Sequence, residues 1–377
     1  MSLLVSVVVP TCHRRQLLGR CLQALVAQSF PPQAYEIIIV DDGLEDGGTR
    51  ELVAEWQQRL RASYAFLAPP LITAVVPVTG ATDLQNLGLQ NLDLQNLGQQ
   101  NLGVTYQVKT SPIQQPRILY RATSGRCGPA AARNLGWKMA SGEIIAFTDD
   151  DCIPEPDWLS NGLSAFVDGV AGVSGRTVVP LPQNPTDYEL NATALQRSDF
   201  ITANCFYRRK VLEEVGGFDE RFATAWREDS DLYFTIRERN YSLAWASGAV
   251  VVHPVRPEKW GSSLRQQRKS FYNALLYKKH PQLYWRYIQP APPWHYYAML
   301  VAVLAAGTGL VLAKPLLAGA GGLTWLYLVS WFTFRRLKQT THTPAHVTEM
   351  ILTSLLIPFI SVYWRLRGAV HWRVLFL

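Results

Sequence analysis

Three consecutive aspartates, Asp149, Asp150 and Asp151, close the run EIIAFTDDD of this 377-residue chain. Repulsion among three carboxylates at the end of an apolar strand calls for a counter-ion or water. The spacing Asp149-x-Asp151 turns two of them to one side, which suits Mg²⁺ or Mn²⁺ held against phosphate oxygens. A solvated acidic loop is the plain alternative. His253, in VVHPV, is a candidate further ligand, and imidazole beside carboxylates favours Mn²⁺ somewhat over Mg²⁺. The same histidine also reads as a ring packed against Pro254. Glu228 and Asp229 offer different chemistry. A free carboxylate has a pKa of about 4, so Asp229 is ionised at neutral pH and can serve as a general base if it is placed beside a hydroxyl. In EDSDL the pair also reads as the acidic first turn of a helix, and both readings can hold together. Asp219, in GGFDERF, reads equally as an acceptor-side or a structural residue.

The elements that must hold these groups follow from pattern. Leu4–Val9 is a continuous apolar, β-branched run, expected as a core strand, with a helix from about Arg15 to Gln28. Glu36–Val40 is a second buried strand opening onto Asp41, Asp42 and Gly43. Glu51–Arg61 reads as a helix and Ile118–Arg121 as a strand. GPAAARNLGWKMASG has Pro129 near a helix start and Gly142 as a stop. Apolar strands alternating with helices imply an α/β fold with a mostly parallel sheet covered on both faces. Ligands then sit beyond the carboxyl ends of the strands, where Asp42 and Asp149–Asp151 fall. Residues 83–103 repeat Gln-Asn-Leu with period five and read as part of a surface insertion over 68–114, to which no chemistry is assigned.

Charge divides the chain. Residues 1–255 carry 21 Lys/Arg against 27 Asp/Glu; residues 256–377 carry 15 against 2. With 26 Gly and 23 Pro the composition is that of a folded protein, not of a collagen-like or disordered chain. The five cysteines form no CxxC pair, which argues against a zinc knuckle or disulfide scaffold and fits a reducing cytosol. No basic residue precedes the first apolar run, so a signal peptide is not expected. Arg256–Arg286 mixes eight basic residues with aromatics and reads as an interfacial amphipathic region, 256–295 in all. From Tyr296 to Phe334 the only charge is Lys314, so the run splits into spans near 296–313 and 316–334. A third segment, Val347–Trp364, contains Pro358. A third full span would put Arg365, Arg367 and Arg373 on the far side, against the charge rule, so a third crossing and a re-entrant or interfacial last segment both stay open. Basic charge beside such runs points to anionic lipid, and nucleic acid is not expected as a partner.

With these pieces in view, the chain resembles the family 2 glycosyltransferases. VSVVVPTCHR, EIIIVDDG, GPAAARNLGWKMASGEIIAFTDDDCIPEPDWL, TANCFYRRKVLEEVGGFDERF and REDSDL carry the resemblance over about residues 3–255. It implies a GT-A fold for 1–255, followed by membrane helices over 296–377, and a nucleotide-sugar donor, with hexosyl transfer the expected subclass. Asp42 would accept a hydrogen bond from the nucleobase, usually uracil in this family, with Thr11 beside the base. The family commonly has an aromatic residue where this chain has Cys12. Arg133 and Asn134 would shape the donor pocket and Asp150 would orient the sugar. Asp149 and Asp151 match the outer positions of the DxD element, with His253 a further metal ligand. Asp229 would be the general base, and Glu228 would hold acceptor hydroxyls or a basic neighbour.

The expectation is a metal-dependent inverting transfer, by single displacement, to a hydroxyl of a lipid-linked or envelope glycan acceptor. The catalytic domain would face the cytoplasm from a multi-pass membrane anchor. Leu264–Asn273 lacks the adjacent Arg-Trp of the QxxRW element found in polymerising relatives, which favours single transfer over a processive polysaccharide synthase. A nucleotidyltransferase would leave the Glu228–Asp229 pair unexplained. A non-catalytic membrane scaffold would bind no donor. Protein partners are not specified by the sequence.

Overall fold

The computed structural model describes residues 4–43, 48–67, 75–76, 104–105 and 115–377. Contacts divide the chain into two units, residues 1–53 with 116–377 and residues 54–115. In the first unit the β-branched runs become strands where their pattern places them. VSVVVPT forms β1 (Val5–Thr11) and YEIIIVD forms β2 (Tyr35–Asp41), buried at nearly every residue. The two pair in parallel, Val5 opposite Tyr35 through Thr11 opposite Asp41. The second unit contains a short antiparallel ladder of β3 (Val75–Val76) and β4 (Val104–Thr105). The 83–103 repeat, and most of the expected 68–114 insertion, lie outside the described residues.

Back in the first unit, β5 (Arg117–Ala122) flanks β2 and β6 (Ile144–Phe147) flanks β1, both in parallel. The sheet continues through β7 (Ile153–Pro154), β8 (Val170–Val178), β9 (Cys205–Arg208) and β10 (Ser242–Val252), in the order β5-β2-β1-β6-β9-β8-β10-β7. β9 is antiparallel to both β6 and β8, while β10 runs parallel to β8. Two reversals restore direction, so β8 and β10 point the same way as β6. The carboxyl ends of β1, β2, β6 and β10 therefore share one edge, and they deliver Thr11, Asp42, Asp149 and His253 to it.

Buried aromatics hold this frame together. Phe147 meets Phe218 edge-on at 5.2 Å, and Trp158 packs on Phe206 at 4.9 Å between centroids. Asn204, fully buried, accepts from the Trp158 indole and donates to the carbonyls of Arg176 and Ala249. It thereby closes the irregular stretch where β10 slips register against β8 between Ala246 and Val250.

Three helices, Trp294–Val311, Pro315–Leu337 and Pro344–Trp372, are long and apolar enough to cross a membrane. The first two match the expected spans closely, and the third extends well beyond 347–364. Met299, Val329, Phe332 and Ile357 join the three in one apolar cluster. The basic stretch before them is packed more deeply than a surface helix. Its helix Ser270–Lys279 buries Asn273, Ala274, Leu275 and Leu276, because it lies between the sheet-bearing part and the last apolar helix.

Candidate active site

The acidic strand end is built around one buried arginine. Arg133 sits on the helix Pro129–Met139 and is 3% exposed. Its Nη2 reaches Asp149 Oδ1 at 2.7 Å, and its Nη1 reaches Glu228 Oε1 at 3.0 Å. One guanidinium fork thus ties the end of β6 to the start of the helix Glu228–Glu238. Burial by itself would lower the Arg133 pKa, but the charges of Asp149 and Glu228 outweigh it and the net direction is up. Burial likewise raises the Asp149 carboxyl, and Arg133, His253 and Arg14 together turn the net direction downward. Glu228 differs. Burial dominates, Arg133 opposes it only in part, Asp229 adds repulsion, and the carboxyl is pushed up to about 7.

Asp150 and Asp151 point to different partners. Asp150 accepts from the Thr11 hydroxyl at 2.7 Å and pairs with Arg14 at 2.9 Å. Burial still holds its pKa above the ordinary value, since Arg14 and Thr11 compensate incompletely. Asp151 is buried, with Arg256 Nε 2.9 Å from Oδ2 and His253 Nε2 3.7 Å from Oδ1. Neither contact is aligned as a hydrogen bond, so both oxygens are buried without a hydrogen-bond partner. Ligand atoms of Asp149, Asp151, Cys152 and His253 all lie within 4.8 Å of one another. Burial pushes the Cys152 thiol far up in the absence of an ion. The carboxylate and imidazole donors of the group suit Mg²⁺ or Mn²⁺.

The general-base candidate is placed by a strained turn. Arg227, just before the helix, adopts φ 78°, a conformation rarely taken by a non-glycine residue. Its Nε donates to Asn273 Oδ1 at 2.9 Å, and the Trp226 indole donates to the same oxygen at 3.0 Å. Lys269 lies over the Trp226 ring at 5.0 Å. Asp229 follows, half-buried, with Oδ1 accepting from the Ser230 N–H and hydroxyl. Among the described residues it makes no ion pair. Glu228 is buried against Arg133, and Asp229 is only partly covered.

Asp42 occupies the other side of the edge. Its Oδ1 accepts from the Cys127 N–H at 2.8 Å and the Thr123 hydroxyl at 3.0 Å, and its Oδ2 from the Gly128 N–H at 2.8 Å. It clamps the loop that starts the helix Pro129–Met139. Gly128 has φ 91°, and a Cβ there would come 2.7 Å from the Ala223 carbonyl oxygen. Only glycine fits. Asn134 is spent on structure: it bonds both backbone groups of Phe218, the Trp137 indole and Glu220. A cavity of about 610 Å³, lined among others by Arg50, Tyr120, Thr123, Asn134 and Lys138, opens beside this loop and does not include the aspartates.

Ten of the eleven residues singled out by sequence therefore lie along one run of contacts and chain neighbours; Asp219 stands apart, paired with Arg221 and Lys279. Asp42 N–H bonds the Thr11 carbonyl, Thr11 bonds Asp150, Asp149 leads through Arg133 to Glu228, and Asp151 faces His253. Asn134 follows Arg133 on its helix. Sequence reasoning missed Arg14, Arg256 and Cys152. Arg14 had one signal, its place in the polar turn after β1.

Residues 6–67 and 106–216 match the family model described as glycosyl transferase family 2. The chain belongs to that family. The matched segments hold Thr11, Asp42, Arg133 and the three aspartates, so the family assignment falls on the edge where the carboxylates gather. Glycosyltransferase AglE of Haloferax volcanii is 26% identical over 275 residues, 70% of each chain. A validoxylamine A glucosyltransferase of Streptomyces hygroscopicus is 24% identical over 74% of this chain and 57% of its own, so this chain spans little more than half of that relative. A mannosyltransferase structure from Pyrobaculum calidifontis, in complex with GDP-Man and Mn²⁺, is 19% identical, covering 98% of this chain and 86% of that one at TM-score 0.49. As a family 2 member with a mixed, mostly parallel sheet, the chain is a GT-A glycosyltransferase that draws on a nucleotide-sugar donor.

Proposed function

We propose that the chain carries out a metal-dependent, inverting transfer of one sugar from a nucleotide-sugar, with UDP the expected nucleotide, to a hydroxyl of a lipid-linked or envelope glycan. The observation that supports this reading is the Arg133 bridge, which ties Asp149 of the DxD run to Glu228, the residue next to Asp229. A divalent ion held by Asp149, Asp151 and His253 would supply Lewis-acid stabilisation of the leaving diphosphate. The paired but unbonded oxygens of Asp151 fit that role.

The remaining work belongs to the chain itself. Thr11 and the loop clamped by Asp42 shape the nucleobase end, and Asp150, fixed by Thr11 and Arg14, orients the sugar. Arg133 keeps Asp149 ionised and Glu228 turned inward. Asp229, which makes no ion pair among the described residues, takes the proton from the acceptor hydroxyl as it attacks from the face opposite the leaving group. One such displacement inverts the anomeric centre. Its rate advantage comes from alignment and preset electrostatics.

Residues 1–255 are read as the catalytic domain, 256–295 as the link at the lipid surface and 296–377 as the membrane region, with the catalytic domain on the cytoplasmic side. Basic residues flank both ends of the Trp294–Leu337 hairpin, which supports that side. The test is a panel of nucleotide-sugars offered to membranes containing the protein, with mass detection of glycosylated lipids and NMR of the product anomer. One donor should be consumed, in a divalent-ion-dependent way, with inverted configuration. A retained anomer would refute the single displacement.

A further inference from the structure

The last apolar helix, Pro344–Trp372, is built inside out. Its exposed stripe is Leu352, Leu356, Phe359, Tyr363, Leu366 and Val370, each 37–79% exposed. The alternating spacing of four and three residues puts them on one face. Two positions on, about 200° round the axis, Ser354, Pro358, Ser361, Arg365 and Gly368 form a second stripe, and it is buried. A helix on a water-facing surface shows the reverse pattern. Here polar and small residues, together with Met350, Ile357 and Val362, face protein, and a continuous row of large apolar ones faces outward.

Both ends of this helix are fastened to the sheet-bearing side. Near its start, the Gly261 N–H donates to Glu349 Oε1 at 2.7 Å, and the Asp187 N–H points to His346 Nε2 at 3.4 Å. Near its end, Lys278 Nζ donates to the Trp372 carbonyl at 2.8 Å, and Arg365 Nη1 to Gln289 Oε1 at 3.1 Å. Gly368 lies so close to Phe271 that a Cβ would come 2.5 Å from its carbonyl oxygen.

Glu349 to Trp372 spans roughly 35 Å at about 1.5 Å per residue, more than a hydrocarbon core of about 30 Å. If the helix crossed the bilayer, Gly261 and Lys278 would lie at opposite surfaces. The segment between them, with Arg265, Arg268 and Lys269, would then be drawn through lipid, where each cation is costly.

We propose that Pro344–Trp372 lies in the plane of the membrane surface, apolar stripe toward lipid, with both ends on the catalytic side. The chain then crosses only through the hairpin of Trp294–Val311 and Pro315–Leu337, whose helices are far more exposed than the third. Arg365, Arg367 and Arg373 stay with the other basic residues, and the conflict with the charge rule disappears. The helix also bears on the site. It touches Phe271, two residues from the Asn273 that holds Trp226 and Arg227 ahead of Asp229. Lipid contact and the general base are thus linked through one short helix.

This inference rests on the membrane attachment proposed above, and one experiment separates the two. Ala345→Cys and Leu375→Cys are made in the full chain on a Cys127→Ser background. Sealed vesicles of each orientation are treated with a membrane-impermeant maleimide. Both new cysteines should react on the face where native Cys127 reacts in the unmodified chain. Reaction of either from the opposite face, or from neither face, overturns the in-plane helix. Release of the protein by an alkaline carbonate wash overturns the attachment itself.

Discussion

At the scale of single residues, the split between Glu228 and Asp229 gives the sharpest expectations. Asp229→Asn should lower kcat by about 10²- to 10⁴-fold, the usual worth of a general base, with donor affinity unchanged in an equilibrium titration. Glu228 carries a pH signature. Its carboxyl is raised to about 7 from an ordinary 4.5, so the folded chain keeps a proton that the unfolded chain has released. The stability it contributes is complete below pH 4.5 and is withdrawn as pH climbs toward 7. Denaturant midpoints of Glu228→Gln should lack that decline. Arg133→Met leaves Asp149 and Glu228 facing each other without a cation. It should cost about 3–5 kcal/mol of unfolding free energy, as removing one partner of a buried ion pair does. Residue types and spacing pointed to Asp149, Asp151, Asp229 and His253 before any coordinates. They did not show that Arg133 reaches in two directions, because its second partner lies 95 positions away. Nor could they show Arg256 beside Asp151, since that contact depends on where the chain goes after β10.

At the scale of elements, legibility followed local pattern. β1, β2 and β6 were readable as continuous β-branched runs, and the helix Pro129–Met139 was readable from its proline start. β9 was not, because a four-residue strand antiparallel to both neighbours leaves no periodic trace. The third apolar segment was located, with a crossing and a re-entrant or interfacial placement both open; the meaning of its stripes depends on which one the rest of the chain covers. The loop from Thr123 to Gly128 is the element most sensitive to a single methyl group. Gly128→Ala meets both a positive φ and the Ala223 carbonyl. It should destabilise by about 1–3 kcal/mol and weaken nucleotide binding through the Asp42 clamp, which calorimetry on the purified chain would reveal.

At the scale of the molecule, catalytic and apolar parts are tied by a buried ion pair. Arg336, at the end of the second apolar helix, reaches Asp187 Oδ2 at 2.8 Å and the hydroxyls of Thr353 and Ser354 at 2.7 and 3.1 Å. Arg336→Met strands the Asp187 carboxylate. Detergent-solubilised protein should lose thermal stability by the equivalent of about 3–5 kcal/mol, and Asp187→Asn together with Arg336→Met should recover part of it. The central claim is narrower: the DxD cluster binds the ion and donor, while a separate carboxylate across the Arg133 bridge does the proton transfer. Titration of Mn²⁺ with nucleoside diphosphate into the full chain, beside Asp151→Asn and Asp229→Asn, tests it most directly. Ion-dependent binding should be lost in the first variant and kept in the second. Equal binding by both variants, or binding that ignores the ion, would contradict it.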